Sequence, residues 1–355
     1  MKYARPFDIL IVLYAVFFVA KVNNAGDNIR WNIVPFMAVV EQYFQDDVSD
    51  IKETVYNELE HIVSENSYYY LTSYKSCVKC YESYTSTEGF SKHMAQARSN
   101  SISTWVCIVL RWFGMPLWLS VLLPVYAAVF FIIVLSYIWL VGLIGKPHAF
   151  LLAAIIAFLP GMAHVQNDAS PAAVSSFLLL LSIYLIYTNR NLSSLLAVVF
   201  LSVFAFVDNL AFALIVIAAI LIKNRKKLLF GYIGLIVSVL IVLVVLKFMP
   251  ESSQPMLQKI KSRLAMYHIP KQLKGQWTVF LDKGYYFYFF ALLLLCFCRD
   301  VFIRNTAFIV LMTVILHFAL FPVLEYRYFA AYNIASVLLV VSYMAKKKAN
   351  IENKL

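Results

Sequence analysis

The sequence has 355 residues, of which 62% are hydrophobic and only 14% are charged. Its mean hydropathy of +0.75 excludes a water-soluble globular domain, because such a domain would expose large apolar patches. The formal net charge of +11 does not indicate nucleic-acid binding, since most basic residues lie in short connections, where membrane topology and anionic lipid explain them. We therefore expect an all-α integral membrane protein.

Apolar runs recur along the chain, and many approach the roughly 17–25 residues that a helix needs to cross a bilayer. About ten transmembrane helices are predicted, at 7–23, 117–143, 149–164, 171–187, 192–207, 210–222, 229–247, 284–298, 306–322 and 328–345. The first is expected to be a retained anchor, because no good small-residue cleavage site follows it. The sequence thus predicts a single polytopic membrane domain over residues 1–355.

The basic residues of the predicted connections indicate the orientation of the chain. They are Lys2, Arg5, Lys146, Arg190, Lys223, Arg225, Lys226, Lys227, Arg299, Arg304, Lys346, Lys347 and Lys348. With ten spans all of them fall on one side, so the positive-inside bias places them and both termini in the cytoplasm. The same bias favours two short helices over 192–222, since one long helix would export the cluster that begins at Lys223. The short chain favours a bacterial inner (plasma) membrane.

The first extracytoplasmic loop, residues 24–104, is acidic and holds about 11 of the chain's 19 Asp and Glu residues. Within it, apolar residues recur at helical spacing from Ile51 to Ile62, which predicts an amphipathic helix packed on the membrane or on the helix bundle. The acidic residues expected on its opposite, polar face are Glu53, Glu58, Glu60 and Glu65. An apolar patch from Trp105 to Phe113 predicts a short interfacial helix before the second span.

Cys77 and Cys80 form a C-x-x-C pair in this loop. One such pair lacks the second half of a zinc site, so a local disulfide or two free thiols are predicted rather than a metal site. The remaining cysteines, Cys107, Cys296 and Cys298, fall in or near apolar segments.

The second extracytoplasmic loop, residues 248–283, is basic, which goes against the positive-inside bias. Its charged residues are Lys259, Lys261, Arg263, Lys271, Lys274 and Lys283 against Glu251 and Asp282. Such a loop can bind an anionic ligand, for example a lipid phosphate or pyrophosphate. Ordinary solvated charge is the alternative interpretation.

Polar residues cluster where four of the predicted spans reach the outer surface. The groups are Asp27; His164, Gln166, Asn167 and Asp168; Asp208 and Asn209; and Glu325, Tyr326 and Arg327. A solvent-facing turn would explain any one of them, and for Asp208 and Asn209 a hairpin turn is the preferred interpretation. The four groups together predict an outward-facing polar cavity beside lipid, which suits a substrate with a polar head and an apolar tail.

Two of these groups carry a family resemblance. The segment 160–169, P-G-M-A-H-V-Q-N-D-A, resembles the connection between the third and fourth spans of GT-C-type glycosyltransferases that use polyprenyl-phosphate sugars. The segment 325–328, E-Y-R-Y, is similar to an E-x-R-Y motif before the last span of several of these proteins. The long first loop and an aspartate soon after the first span also fit. Asp27 departs from the family pattern, however, because no acidic residue stands beside it.

The resemblance implies a transferase that moves one sugar from a polyprenyl-phosphate donor to a glycan or lipid-linked acceptor outside the cytoplasm. It implies Asp27, or else Asp168, as the base that deprotonates the acceptor hydroxyl. Arg327 is expected to bind the leaving phosphate, and Glu325 to orient Arg327 or contact the sugar. The other expected sugar contacts are His164, Gln166 and Asn167.

No cofactor is predicted with certainty. A divalent metal that bridges an aspartate and the phosphate is compatible with the chemistry, although no ligand spacing in the sequence argues for one. A local ion pair is the alternative interpretation for Glu325 and Arg327.

Two other functions remain open. A polysaccharide polymerase or ligase of the O-antigen type would use outer-loop Arg and His residues on a pyrophosphate-linked glycan, and the basic second loop with Arg263 and His268 favours it. A transporter or flippase for a lipid-linked glycan is the third hypothesis. The sequence shows no convincing internal repeat of the kind that transporters often have.

Overall fold

The computed structural model describes residues 5–24, 32–74, 77–97, 101–166, 169–206, 209–223, 276, 278–320 and 326–352. These residues are mostly helical, and no β-strand occurs among them. In chain order, the helices are α1 (Arg5–Asn24), α2 (Ile33–Glu41), α3 (Val48–Ile62), α4 (Glu65–Thr72), α5 (Val78–Thr85), α6 (Thr87–Ala97), α7 (Ile102–Trp112), α8 (Leu117–Ile144), α9 (Lys146–Ile156), α10 (Pro160–Gln166), α11 (Ala172–Tyr187), α12 (Leu192–Ala205), α13 (Leu210–Lys223), α14 (Tyr285–Leu295), α15 (Val301–Leu320) and α16 (Tyr326–Glu352). The prediction of an all-α chain is confirmed.

Three helices in the described ranges are long and apolar enough to cross a membrane. They are α8, the part of α15 over Val301–Phe318 and the part of α16 over Phe329–Glu352. The pair α9 and α10 is a fourth candidate, bent by 55° at its break. These helices indicate a membrane protein.

The prediction of about ten membrane-crossing helices is not met by helix length. The spans predicted at 171–187, 192–207, 210–222 and 284–298 correspond to α11–α14, which are apolar but contain only 10–17 residues each in the part tested. A helix of 17 residues is about 26 Å long, which is less than the roughly 30 Å of hydrocarbon in a bilayer. The span predicted at 229–247 lies outside the described residues.

The span predicted at 149–164 is not one helix but two. The chain turns after Ile156, and α10 starts at Pro160. Proline has no N–H to donate to the carbonyl four residues earlier, and its ring clashes with that carbonyl, so a continuous helix is disfavoured here. By contrast, the two-helix interpretation of 192–222 is confirmed, because α12 ends at Ala205 and α13 begins at Leu210.

Helices α8 and α11 run side by side in the same direction. The ring centroids of Phe131 and Phe177 are 5.4 Å apart, and those of Trp139 and Tyr184 are 5.5 Å apart. Helix α16 joins them near its C-terminal end, where the Trp139 indole N–H donates a hydrogen bond to Ser342 (3.2 Å). The later parts of these three helices therefore meet at one end of the bundle.

That end, which we call the basic end, is held by two ion pairs. Lys146 at the start of α9 donates to Asp8 in the first turn of α1. Lys346 donates to Asp300 over 2.8 Å and lies 5.4 Å from the ring centroid of Tyr187 at the end of α11. Connections that the sequence analysis assigned to one side of the membrane thus meet at the same end of the bundle.

The Asp300–Lys346 pair gives a testable pH dependence. Burial acts to raise the pKa of Asp300, but hydrogen bonds from Lys346 and from the Ile303 amide outweigh it, and the pKa lies below its usual value of 3.8. The ionised carboxylate therefore stabilises the fold above pH 3.8, and this contribution is lost as the pH falls through the lowered pKa. We expect Asp300→Asn to reduce the free energy of unfolding by about 0.5–1 kcal/mol at pH 7.

Thermal unfolding of the detergent-purified chain at several pH values would measure this difference. The gap between wild type and Asp300→Asn is expected to stay constant from pH 7 to about pH 5 and to shrink below pH 3.8. A gap that is unchanged at pH 3 would contradict the ion pair as its cause.

Helices α2–α7 fold on the start of α8 at the opposite end, which we call the loop end. Their shared core contains Ile33, Val34, Met37, Ala38, Val39, Val40, Ile51, Val55, Tyr56, Leu59, Phe90, Met94, Cys107, Leu117, Val121, Leu122 and Ala169. The predicted amphipathic helix is confirmed as α3, which contributes Ile51, Val55 and Leu59 to this core. The predicted short helix before Pro116 is confirmed as α7, and Trp112 and Phe113 at its end are exposed.

Glu58 of α3 caps the N-terminus of α8. Its carboxylate oxygens accept hydrogen bonds from the amides of Leu117 (3.2 Å) and Trp118 (3.1 Å). The first amides of a helix have no partner inside the helix, and Pro116 at the N-cap position makes no side-chain hydrogen bond to them. A carboxylate at this position also complements the positive end of the helix dipole. Glu58, which was expected on the polar face of α3, is thus half-buried and acts as a helix cap.

At the loop end, an ion pair holds α2 against α7. Glu41 is only 1% exposed, and its two carboxylate oxygens accept hydrogen bonds from Arg111 over 3.0 and 3.2 Å. Arg111 also donates to the carbonyl of Met115 (3.2 Å) and lies 3.7 Å from Glu58. These contacts connect α2, α3 and α7 to the chain just before α8.

Cys77 and Cys80 form a disulfide at the start of α5. Of the two alternatives left open for this pair, the local disulfide is the one observed. Cys107, Cys296 and Cys298 are free thiols.

Candidate functional site

The structure describes three of the seven predicted site residues. His164 and Gln166 lie in α10, and Arg327 lies in the first turn of α16. The other four lie outside the described residues: Asp27, Asn167, Asp168 and Glu325.

Helices α10 and α16 pack against each other, although about 160 residues separate them in the chain. Met162 and Val165 of α10 are buried in the same hydrophobic cluster as Phe329 and Ala330 of α16. Buried apolar side chains on both helices stabilise this contact through van der Waals packing, which is the main source of helix association in lipid. The helix that carries His164 and Gln166 therefore adjoins the helix that begins with Tyr326 and Arg327.

An aromatic cluster surrounds the first turns of α16. The ring of Phe329 lies 5.1 Å from His317 of α15, 5.6 Å from Tyr285 of α14 and 6.2 Å from Tyr332, measured between centroids. All four side chains are buried. Helices α14 and α15 thus bring aromatic groups to the first turns of α16.

Two amide side chains, one on α10 and one on α16, each carry a buried polar atom. The Nδ2 atom of Asn333, a residue only 4% exposed, has no hydrogen-bond partner among the described residues, and neither does the buried Oε1 atom of Gln166. Buried polar atoms in native proteins are nearly always paired with protein, water or ligand. These two atoms are therefore available to a polar ligand.

Asn209, at the start of α13, gives a direct contrast. It is 3% exposed, and its Nδ2 atom donates to Ser175 Oγ (2.8 Å) and to the Ser202 carbonyl (2.7 Å). Asn209 therefore joins α11, α12 and α13 as a structural contact. Its neighbour Asp208 lies outside the described residues.

A small open depression lies between the first loop and the start of α11. It is lined by Phe36, Val40, Ser103, Thr104, Cys107, Val121, Ala169 and Pro171. Ala169 follows Asp168 directly, and α2, which supplies Phe36 and Val40, begins six residues after Asp27. Ala169, the residue after Asp168, and two residues of α2 thus line one depression at the loop end.

Sequence reasoning missed Tyr285, His317 and Asn333. A usable signal was present for two of them, because His317 and Asn333 lie inside predicted spans, where any polar side chain is costly and suggests a function. Spacing gave no sign that residues so far apart in the chain pack together.

Within the described ranges, no group of three His, Cys, Asp or Glu side chains is arranged to hold a metal ion. Comparisons of the chain with protein-family models, with curated proteins and with solved structures give no match. Function is therefore inferred from the residues and their positions alone.

Proposed function

We propose that this protein is a membrane glycosyltransferase that moves a sugar from a polyprenyl-phosphate donor to a glycan or lipid-linked acceptor on the extracytoplasmic side. The observation that carries the proposal is the packing of α10 on α16. This contact brings together the elements that hold the two resembling segments, His164 to Gln166 and the start of α16 at Tyr326 and Arg327.

The proposal includes the full topology of about ten spans, with both termini in the cytoplasm. It is supported by the basic end, where Asp8, Lys146, Asp300 and Lys346 meet, since basic connections prefer the cytoplasmic side. The short helices α11–α14 fit this topology if the bilayer thins around them or if they face a wet cavity. The loop end, with α2–α7, then faces outward.

The proposed reaction needs few groups. The acceptor hydroxyl oxygen attacks the anomeric carbon, the bond from that carbon to the phosphate oxygen breaks, and the hydroxyl proton passes to a carboxylate. We assign the carboxylate to Asp27 first and to Asp168 second. The polyprenyl phosphate leaves as an anion, so it needs a cation rather than an acid, and Arg327 is the proposed cation.

A polymerase or ligase is the second candidate, favoured by the basic composition of residues 248–283. The two functions differ in their donors and in their products. A transferase adds one sugar unit from a monophosphate donor, whereas a polymerase extends a pyrophosphate-linked glycan by many repeats. A carboxylate base is required only by the first.

The test is expression of the chain in cells that lack their own copy, followed by mass analysis of the surface glycan. Wild type is expected to add a single hexose-sized increment. Arg327→Ala is expected to lower the rate of addition by about 10–100-fold, the value of one or two charge-assisted hydrogen bonds. Arg304→Ala, which removes an exposed arginine near the basic end, is the matched control and should leave the rate unchanged.

Two results would replace the proposal. If the arginine variant changes the length distribution of a polymer while single additions are absent, the polymerase function is favoured. If the glycan is unchanged in mass in every variant, including cells without the protein, glycosyl transfer itself is ruled out.

A further inference from the structure

Helices α10 and α16 each carry one amide side chain with a buried atom that makes no hydrogen bond within the described part of the fold. Asn333 offers a buried N–H donor and Gln166 offers a buried carbonyl acceptor, each without a hydrogen-bond partner among the described residues. The helices that carry them are in contact. A ligand that serves both must accept one hydrogen bond and donate another.

We infer that Asn333 and Gln166 bind hydroxyl groups of the sugar that is transferred. This inference rests on the proposed function and extends it, because Asn333 is not part of the motifs that suggested a glycosyltransferase. A sugar hydroxyl both donates and accepts, so the hydroxyls of a sugar match both the donor of Asn333 and the acceptor of Gln166. A phosphate oxygen can only accept when ionised, so it satisfies Asn333 but not Gln166.

The surroundings of Asn333 favour a specific polar contact. Phe329, one helical turn earlier on α16, lies among the buried rings of Tyr285, His317 and Tyr332. Hydrogen bonds are stronger in a low-dielectric environment, and an unpaired buried donor there is correspondingly costly. Leucine at position 333 has a similar volume and would remove that cost. An asparagine at this place therefore stabilises the fold less than an apolar residue would, as expected for a residue kept for binding.

The same reasoning distinguishes Asn333 from Asn209. Both are buried asparagines near the outer ends of apolar helices, but only Asn209 is fully engaged through Nδ2, by Ser175 and Ser202. Substitution by leucine should thus have opposite effects on stability at the two positions. This contrast supplies a matched control within the same chain.

The experiment measures binding to the full chain purified in detergent, by thermal shift at several probe concentrations. The probes are citronellyl phosphoglucose, phosphogalactose and phosphomannose, with citronellyl phosphate as the probe without sugar. Wild type is expected to bind at least one of the sugar probes more tightly than citronellyl phosphate.

Asn333→Leu is expected to unfold at the same temperature as wild type or higher when no probe is present. Its affinity for the preferred sugar probe should fall by about tenfold, the value of one hydrogen bond near the upper end of the usual range, while its affinity for citronellyl phosphate is unchanged. Gln166→Met should have the same selective effect. Asn209→Leu should unfold at a lower temperature and keep the wild-type ratio of affinities.

Two other outcomes would contradict either the sugar-binding role of the amides or the proposed function as a whole. If Asn333→Leu keeps the wild-type preference for the sugar probe, or if wild type never prefers a sugar probe, the two amides do not bind sugar, while binding of citronellyl phosphate still supports the proposed donor class. If wild type binds none of the four probes, the proposed function fails together with this inference.

Discussion

Replacing Asp27 by asparagine is expected to lower kcat for sugar transfer by about 10²–10⁴-fold, with an unchanged amount of protein in the membrane. The amide has nearly the shape of the carboxylate but cannot take a proton from the acceptor hydroxyl at neutral pH. Donor binding does not require the base, so KM for the donor should change little. Initial rates in proteoliposomes, with a labelled polyprenyl-phosphate sugar, provide the measurement.

Asp168→Asn tests the second assignment in the same assay, and Asp46→Asn is the control. Asp46 is an exposed carboxylate of the first loop that lies just before α3, so its removal should leave kcat as in wild type. A large loss in the Asp168 variant alone would move the base to that residue. Full activity in both Asp27 and Asp168 variants would exclude a base at either position and favour the polymerase.

Arg111→Ala is expected to reduce the free energy of unfolding by about 3–5 kcal/mol, because it leaves the Glu41 carboxylate buried without its partner. The side chain of Glu41 is almost inaccessible, so water can replace little of what is lost. Arg111 also reaches Glu58, the cap of α8, and its loss should loosen the first loop from the bundle. Thermal unfolding and limited proteolysis of the purified chain would detect both effects.

Two further variants identify the cause of that loss. Exchange of both partners, Glu41→Met with Arg111→Met, should recover most of the stability, because apolar residues of similar size replace a buried ion pair at little cost. Lys348→Ala is the control, since it breaks an exposed pair with Glu352 and should cost only about 0.3–0.5 kcal/mol. A double variant as unstable as Arg111→Ala would attribute the effect to lost packing of the arginine instead.

Local patterns predicted those parts of the fold that depend on neighbouring residues. The apolar spacing from Ile51 to Leu59 was sufficient for α3, because one face of a helix repeats every three to four residues. The charge cluster after Lys223 was sufficient to divide 192–222 into α12 and α13. In both cases the deciding information lies within about 30 residues of chain.

Membrane spans were predicted less well, because hydropathy measures composition and not helix length. The run over 149–163 is apolar apart from its proline and glycine, yet one helix ends at Ile156 and a second starts at Pro160, a residue that disfavours a continuous helix.

The candidate site was predicted only in part. His164 and Gln166 followed from their position after an apolar run, but nothing local links α10 to α16 or Phe329 to His317. The sequence also gives no way to tell a satisfied buried asparagine from an unsatisfied one. That difference depends on where Ser175 and Ser202 lie, and only coordinates provide it.

The cap that Glu58 places on α8 has a consequence for biosynthesis. The ribosome completes α3 about 55 residues before α8 begins, so the carboxylate is already translated when the Leu117 and Trp118 amides emerge. Under the proposed topology, the first loop must cross the membrane and fold before the second span acquires its cap. Slow translocation or misfolding of the loop would leave an uncapped helix end at the bilayer surface, where quality-control proteases have access to it.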